Sequence, residues 1–195
     1  MSIYESHGVP PPVQYKTLNY RFADQIFDSP EYQPLRDEII DVVKRCPTAL
    51  LATPKTRTRN KKTMVFTTDQ FALNEYFATE FSGLTWEYHP DITGDGKTKL
   101  QADFKKKRVQ VEVQFGNMAR WYSDVFKMQV SYSLDRIDVG VLIVPTQKFA
   151  NTIDENIAYF ERVERELPYA KMSITLPILV IGLAPSIAAH PKLVE

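Results

Sequence analysis

Residues 102–117 read ADFKKKRVQVEVQFGN and contain the clearest structural pattern of the chain. From residue 109 to residue 115 apolar and polar side chains alternate without a break, so the segment is predicted to be a β-strand. Valine and phenylalanine occupy one face, and Gln110, Glu112 and Gln114 occupy the other. The strand therefore has one apolar face and one polar, acidic face.

The basic residues Lys106, Lys107 and Arg108 directly precede this strand and indicate a solvated turn, which makes the segment before them the first arm of a β-hairpin. If Lys106 and Lys107 form a two-residue loop, Asp103 lies opposite Gln110 and shares the face of Glu112. A three-residue loop would turn Asp103 to the other face. The register of the hairpin thus decides whether the two carboxylates meet.

Two carboxylates on one face of a sheet repel each other unless a cation lies between them, and oxygen ligands suit a hard divalent ion such as Mg²⁺. A metal site at Asp103 and Glu112 is one interpretation. The other is a solvent-facing edge of an antiparallel sheet, which commonly has the same alternation. The pattern alone favours neither.

A family resemblance favours the metal site. The order Asp103, Glu112, Gln114 inside VEVQFGN resembles the active-site strand of the BglII and BstYI type II restriction endonucleases. These enzymes belong to a nuclease superfamily whose usual signature is an aspartate followed by Glu-x-Lys. Gln114 stands where most members have lysine, which is the mark of the BglII-like branch.

Further segments extend the resemblance over roughly residues 42–185. They are FALNEYF at residues 71–77, DRIDVGV at 135–141 and LVIGLAP at 179–185. The resemblance implies an α/β fold, with a restriction-endonuclease-like mixed central β-sheet flanked by helices. It also implies Mg²⁺-dependent hydrolysis of double-stranded DNA at a short palindrome, leaving 5′-phosphate ends.

The same resemblance implies a homodimer without a nucleotide cofactor and favours a site centred on GATC. Two other functions stay open: a repair or junction nuclease of the same superfamily, and a DNA-binding protein of this fold that no longer cuts.

The resemblance also implies roles for individual residues. Asp103, Glu112 and Gln114 are the predicted catalytic residues, and the backbone carbonyl of Val113 is the predicted third protein ligand of the metal. Gln114 carries no charge, so its amide can only orient water or a phosphate oxygen. His89 lies near a polar, water-binding position of the family, although a surface or packed histidine explains it as well. The predicted DNA-binding residues are Asn117, Arg120, Lys106, Lys107, Asn151, Asp154 and Asn156.

The chain has 195 residues, which we interpret as one domain over residues 1–195 with an irregular segment at residues 1–28. Its single cysteine, Cys46, excludes an internal disulfide. No signal peptide and no apolar run of membrane-spanning length is found, so we expect a cytoplasmic protein without a membrane partner.

Basic and acidic residues balance at 24 each, but they are segregated along the chain. One basic cluster lies within residues 55–62, a second flanks the predicted metal site, and acidic residues concentrate at residues 154–166. Such segregation permits a DNA-facing surface on a neutral protein, although each cluster alone is also typical of solvated loops.

Periodicity predicts the remaining elements. A helix after Asn117 is apolar on two sides, so it packs either on the sheet and a partner subunit or inside its own domain. The other predicted elements are helices from Ser29 to Pro47, at residues 68–81 and at 153–167, strands at 137–144 and 174–183, and an exposed basic loop at 53–63.

Overall fold

The computed structural model describes residues 13–47, 55–59 and 62–184. Lys61 of the first basic cluster, Pro185 at the end of the family resemblance, and two of the three histidines, His7 and His190, lie outside these ranges. Within them, no helix has the length and apolar character needed to cross a membrane.

Strands and helices alternate along most of the described chain. The strands are β1 (Tyr15–Tyr20), β2 (Lys55–Arg59), β3 (Lys62–Phe66), β4 (Glu87–Tyr88), β5 (Phe104–Lys106), β6 (Val109–Val113), β7 (Val139–Pro145) and β8 (Ile178–Leu183). The α-helices are α1 (Ala23–Phe27), α2 (Gln33–Arg45), α3 (Gln70–Gly83), α4 (Arg120–Ser133), α5 (Gln147–Ile153) and α6 (Phe160–Glu166).

Six of these strands form one mixed sheet in the order β1-β8-β7-β6-β5-β4. The central strands β6, β7 and β8 run parallel, and antiparallel neighbours complete the sheet on both sides. Every residue of β7 is buried, as its almost continuous apolar sequence predicts for a strand that is covered on both faces.

Helices cover both faces of the sheet and give the protein two hydrophobic cores. Buried residues of α1, α2, α3 and α5 pack against one face, together with Val109 and Val111 of β6. Trp121, Val125 and Met128 of α4 pack against the other face with residues of α6. The architecture is a mixed α/β sandwich, which confirms the predicted fold class.

The segment predicted as an exposed basic loop instead contains a two-stranded antiparallel sheet formed by β2 and β3. Its alternating Thr and basic residues satisfy the strand period as well as they satisfy a loop. The backbone amides of Thr67 and Thr68 donate to the carbonyl of Thr152 at 2.8 and 3.0 Å. These bonds attach the base of the hairpin to α5.

Two other predictions near the N-terminus differ from the structure. Residues 15–27 form β1 and α1 rather than an irregular segment, because β1 completes its hydrogen bonds against β8 at the edge of the sheet. Helix α2 begins at Gln33, since the carbonyl of Ser29 accepts turn hydrogen bonds from Tyr32 and Gln33. Pro34 occupies the first turn of this helix.

The predicted helix at residues 153–167 is wrong in its first half. Helix α5 ends at Ile153, and Asp154 is extended. Ala158 then donates to the carbonyl of Gly116 at 3.0 Å, and α6 begins only at Phe160. Pairing with the loop after β6 therefore interrupts the helix.

Candidate active site

The β5–β6 hairpin brings Asp103 to the face of Glu112, with a register different from the predicted one. Phe104 pairs with Val111 and Lys106 pairs with Val109, so the two-residue loop is Lys107–Arg108. Continuing this pairing by one residue sets Asp103 opposite Glu112 rather than opposite Gln110. The loop moves by one position, the register shifts by two, and the face is preserved.

Two hydrogen bonds hold Asp103 at the end of the hairpin. Its Oδ2 accepts from the backbone amide of Val113 at 2.8 Å, so the carboxylate reaches across to β6. Its backbone carbonyl accepts from the amide of His89 at 3.0 Å. His89 has a φ of 52°, a left-handed conformation that redirects the chain beside Asp103.

The polar face of β6 is buried. Gln110 and Glu112 are 0% exposed and Gln114 is 7% exposed, because helix α4 lies across this face of β6. The solvent-facing sheet edge is therefore the wrong interpretation of the alternation. One carboxylate and two amide side chains inside the protein need hydrogen-bond or charge partners. Burying them lowers the stability of the fold, so a strand with a purely structural role would carry apolar residues here.

Lys127 of α4 supplies the charge partner of Glu112. Its ammonium forms a short ion pair with Glu112 Oε2 and lies 3.1 Å from Asp124 Oδ1. Gln110 donates to the other oxygen of Glu112 at 2.7 Å. Sequence reasoning missed Lys127 and Asp124, because their spacing of three residues places them on one helix face but does not show what that face contacts.

Burial and neighbouring charges shift the pKa of these groups. Burial raises the pKa of Asp103, while Lys127 opposes that shift. Burial and the nearby charge of Asp103 hold the pKa of Glu112 well above its usual value. Burial acts to lower the pKa of Lys127, but the carboxylates of Glu112 and Asp124 outweigh it and raise that pKa. Asp103 and Glu112 thus interact, and the cluster attracts positive charge.

The amide of Gln114 is fixed on both sides. Its Nε2 donates to Asp124 Oδ2 at 2.6 Å, and its Oε1 accepts from the amide of Gly116 at 2.8 Å. A Cβ at Gly116 would lie 2.8 Å from the same oxygen, so a larger residue there would displace the Gln114 amide. The side chain is therefore held rigidly in the wall of a cavity.

This cavity, of about 560 Å³, opens beside the end of the hairpin. Asp103, Val113 and Gln114 line it, and Glu112 lies behind the lining, covered by Lys127. The ring of His89 is part of the lining and stacks on Tyr88. The polar lining also includes Gln70, Asn74, Lys99, Gln101, Arg120, Ser123 and Asp124.

The structure brings together two of the segments predicted to read DNA. Asn117 is exposed and forms a β-bridge with Ile157, and the amide of Met118 donates to the carbonyl of Asn156 at 2.9 Å. Asn117 Oδ1 accepts from the amide of Ala119 at 2.9 Å, which starts α4. Asn117 and Asn156 therefore lie side by side at one rim of the site.

The other predicted DNA-binding residues divide into two groups. Arg120 lines the cavity, while Asn151 is exposed on α5 and Asp154 pairs with Arg57 of β2 at 3.2 Å. Lys106 and Lys107 lie at the opposite end of β6 from Asp103, one strand length away.

Lys106 also has internal partners. Its Nζ contacts both carboxylate oxygens of Glu38 and the carbonyl of Leu84, each at 2.8 Å. An ammonium has three hydrogens, and these contacts engage them on the α2 face of the sheet. Lys106 therefore has a structural role here, and we leave both lysines out of the proposed DNA contacts.

The donor set suits a hard cation but is small. Within the described ranges, no group of three or more His, Cys, Asp and Glu side chains is arranged to hold a metal ion. Asp103 and Glu112 with the carbonyl of Val113 would give three protein oxygens, and Mg²⁺ usually keeps several waters. The repulsion between Asp103 and Glu112 and the ion pair of Glu112 with Lys127 fit a site that needs positive charge.

A mixed sheet sandwiched by helices, with an acidic pair at the end of a central hairpin beside a polar cavity, defines a nuclease of the restriction-endonuclease class. The comparisons with known proteins agree. Residues 15–183 match the family described as restriction endonuclease BglII/BglIII, and the chain belongs to this family. It is therefore a BglII-type restriction endonuclease, a type II site-specific nuclease.

Two solved structures share the fold. A structure of restriction endonuclease BglII complexed with a DNA 16-mer is 20% identical with a TM-score of 0.67, covering 88% of this chain and 76% of that chain. A structure of free BglII is 19% identical with a TM-score of 0.57, covering 87% of this chain and 79% of that chain. No curated protein matches the chain in sequence.

Proposed function

We propose that this restriction endonuclease is Mg²⁺-dependent and hydrolyses double-stranded DNA at a short palindrome, leaving 5′-phosphate ends. One observation carries the proposal: the register of the β5–β6 hairpin, which sets Asp103 opposite Glu112 beside a polar cavity. A pair of buried carboxylates has no benefit for folding, whereas phosphoryl chemistry uses it directly.

In the proposed reaction a water oxygen attacks the phosphorus in line with the 3′ oxygen, whose bond to phosphorus breaks. The attacking water gives up a proton to solvent, and the leaving 3′ oxygen takes one up. Bound Mg²⁺ would supply the positive charge that the pentavalent phosphorus requires. Asp103, Glu112 and the carbonyl of Val113 would hold the ion. The fixed amide of Gln114 orients the water or a phosphate oxygen through hydrogen bonds, since it cannot remove a proton.

Two further features support a dimer on duplex DNA. The BglII structure in complex with a DNA 16-mer has this fold, and a palindrome presents two antiparallel strands that a twofold dimer can cut with two identical sites. Helix α4 leaves Tyr122 and Phe126 exposed at 45% and 56%. We propose that these two rings lie in the contact between subunits, in a cytoplasmic homodimer without a nucleotide cofactor.

Base readout is proposed for Asn117 and its neighbour Asn156, with Asn151, Asp154 and Arg120 nearby. Asparagine amides read the donor and acceptor pattern of bases in the major groove. The family resemblance favours GATC at the centre of the site. Arg57 of β2 forms an ion pair with Asp154, so it lies beside the proposed base-reading segment. Arg57 is proposed to contact a phosphate of the DNA backbone there.

The function is tested by incubating the purified protein with a large plasmid and Mg²⁺. We expect a discrete set of fragments whose sequenced ends share one short palindrome and carry 5′-phosphates. Ca²⁺ in place of Mg²⁺ should support binding without cutting. A smear would indicate a nuclease that reads DNA shape, and intact plasmid would indicate a binding protein, so either result would contradict the proposal.

Asn117→Ala is expected to reduce discrimination between the cognate site and sites altered by one base pair by about 10- to 100-fold, the value of one good base contact. The measurement compares cleavage rates on the cognate and altered duplexes. Asn19→Ala, on β1 away from the cavity, is the matched control. Unchanged discrimination in Asn117→Ala would mean that the bases are read elsewhere.

A further inference from the structure

The side chain of Lys127 is largely buried, and burial of its ammonium costs free energy. Its side chain is 14% exposed, and its ammonium contacts Glu112 Oε2 and lies 3.1 Å from Asp124 Oδ1. Helix α4 could bury an apolar residue here, as it does at Val125 and Met128. A buried ammonium is retained where its charge has a use, since well-packed apolar residues often stabilise a protein as much or more.

The charges around Lys127 explain what its ammonium is used for. Asp103, Glu112 and Asp124 are three carboxylates around one ammonium. The proposed substrate brings a further negative charge with each phosphate. Because like charges repel strongly inside a protein, the wall of the site needs a cation that faces the phosphate as well as the carboxylates.

Gln114 cannot supply this charge. It is an amide, and its Nε2 and Oε1 are held by Asp124 and Gly116. Lys99 and Arg120 also line the cavity, but both are exposed on its rim. Of the three basic residues of the lining, Lys127 is the largely buried one that contacts the carboxylates.

We propose that Lys127 is a catalytic residue of the proposed nuclease reaction, whose ammonium contacts the attacked phosphate from α4 and provides the positive charge that β6 does not carry. The geometry allows this contact without rearrangement of the helix. Lys127 lines the cavity, and its contacts with Glu112 and Asp124 among the described residues leave one of its three hydrogens for a phosphate oxygen.

The inference rests on the proposed function and makes a separate prediction. A lysine that contacts phosphate in the transition state changes the rate of cleavage of bound DNA, while a lysine that only neutralises Glu112 changes folding. Arginine keeps the charge with a different shape, and glutamine keeps a hydrogen-bond donor without the charge. These substitutions therefore separate the two roles.

The test measures single-turnover cleavage of saturating cognate DNA in Mg²⁺ by Lys127→Met, Lys127→Gln and Lys127→Arg. We expect the Met and Gln variants to lose about 100-fold in rate, which is typical for removal of one charge-stabilising donor. Lys127→Arg should recover part of that loss. DNA affinity in Ca²⁺ should stay close to that of the wild type. The unfolding temperature should fall, because the ion pair with the buried Glu112 is lost, but both variants should remain folded at the assay temperature. Lys44→Met, on the exposed face of α2, is the matched control.

Several results would overturn the proposal. They are a wild-type rate in Lys127→Met or Lys127→Gln, a loss that is explained by weaker DNA binding in Ca²⁺, or failure of both variants to fold, which would make Lys127 structural. If the wild-type protein itself does not cut DNA, the proposed function fails instead. The wild-type reaction therefore distinguishes the two failures.

Discussion

Asp103→Asn and Glu112→Gln are each expected to lower the rate of DNA cleavage by about 1000-fold or more at saturating Mg²⁺. Each change keeps the shape of the side chain and removes one negative charge from the pair that would hold the ion. In Asp103→Asn the side-chain amide oxygen could still accept from the backbone amide of Val113, so the hairpin should keep its geometry. The loss would therefore come from the chemistry and not from the fold.

The measurement is cleavage of the cognate duplex under single-turnover conditions, with circular dichroism to verify folding. Asp37→Asn, which changes an exposed carboxylate on α2, is the control and should cut at the wild-type rate. Raising the Mg²⁺ concentration should recover part of the activity only if the variant still binds the ion weakly. Cleavage at the wild-type rate by either variant would remove that carboxylate from the active site.

Phe126→Arg is expected to convert the proposed dimer to monomers and to abolish concerted cutting of both DNA strands. Phe126 is 56% exposed and lies one helical turn from Tyr122, so together they form an apolar strip on α4. An arginine buried at the centre of a subunit contact without a partner costs several kcal/mol, which is about 100-fold or more in the dimerisation constant. The catalytic residues would be unchanged, but each monomer would engage one strand.

Analytical ultracentrifugation gives the mass in solution, and a supercoiled plasmid assay separates nicked from linear product. Met172→Arg, at an exposed apolar residue after the 3₁₀ turn at Leu167–Ala170, is the matched control and should leave the mass unchanged. A dimeric Phe126→Arg that still linearises the plasmid would place the subunit contact on another surface.

The central elements could be predicted because their signals are local. The alternation of β6 and the apolar run of β7 each specify a strand without reference to any other part of the chain. The same alternation and a short loop also predicted that Asp103 and Glu112 share one face. The predicted loop position was wrong, but the pairing register shifted by two residues, which leaves Asp103 on that face. Edge strand β1 was missed, since its polar sequence is stabilised mainly by pairing with β8.

The surroundings of the acidic pair depend on tertiary packing. Lys127 and Asp124 reach Glu112 and Gln114 only because α4 lies across the polar face of β6, and no pattern within α4 indicates that crossing. The same reason explains why Lys106 was assigned to DNA. A run of lysines does not reveal that one of them turns inward to Glu38.

Residues 116–118 and 156–158, which carry the proposed base readout, are joined by backbone hydrogen bonds, and this limits how the enzyme could acquire a new target sequence. The two segments are joined through Gly116 to Ala158 and Met118 to Asn156, so neither is an independent module that could be exchanged with a relative's. Evolution and engineering would have to proceed by side-chain replacement on a shared, rigid frame. This frame begins two residues after Gln114. Many substitutions that change the target sequence would therefore also lower the rate of DNA cleavage.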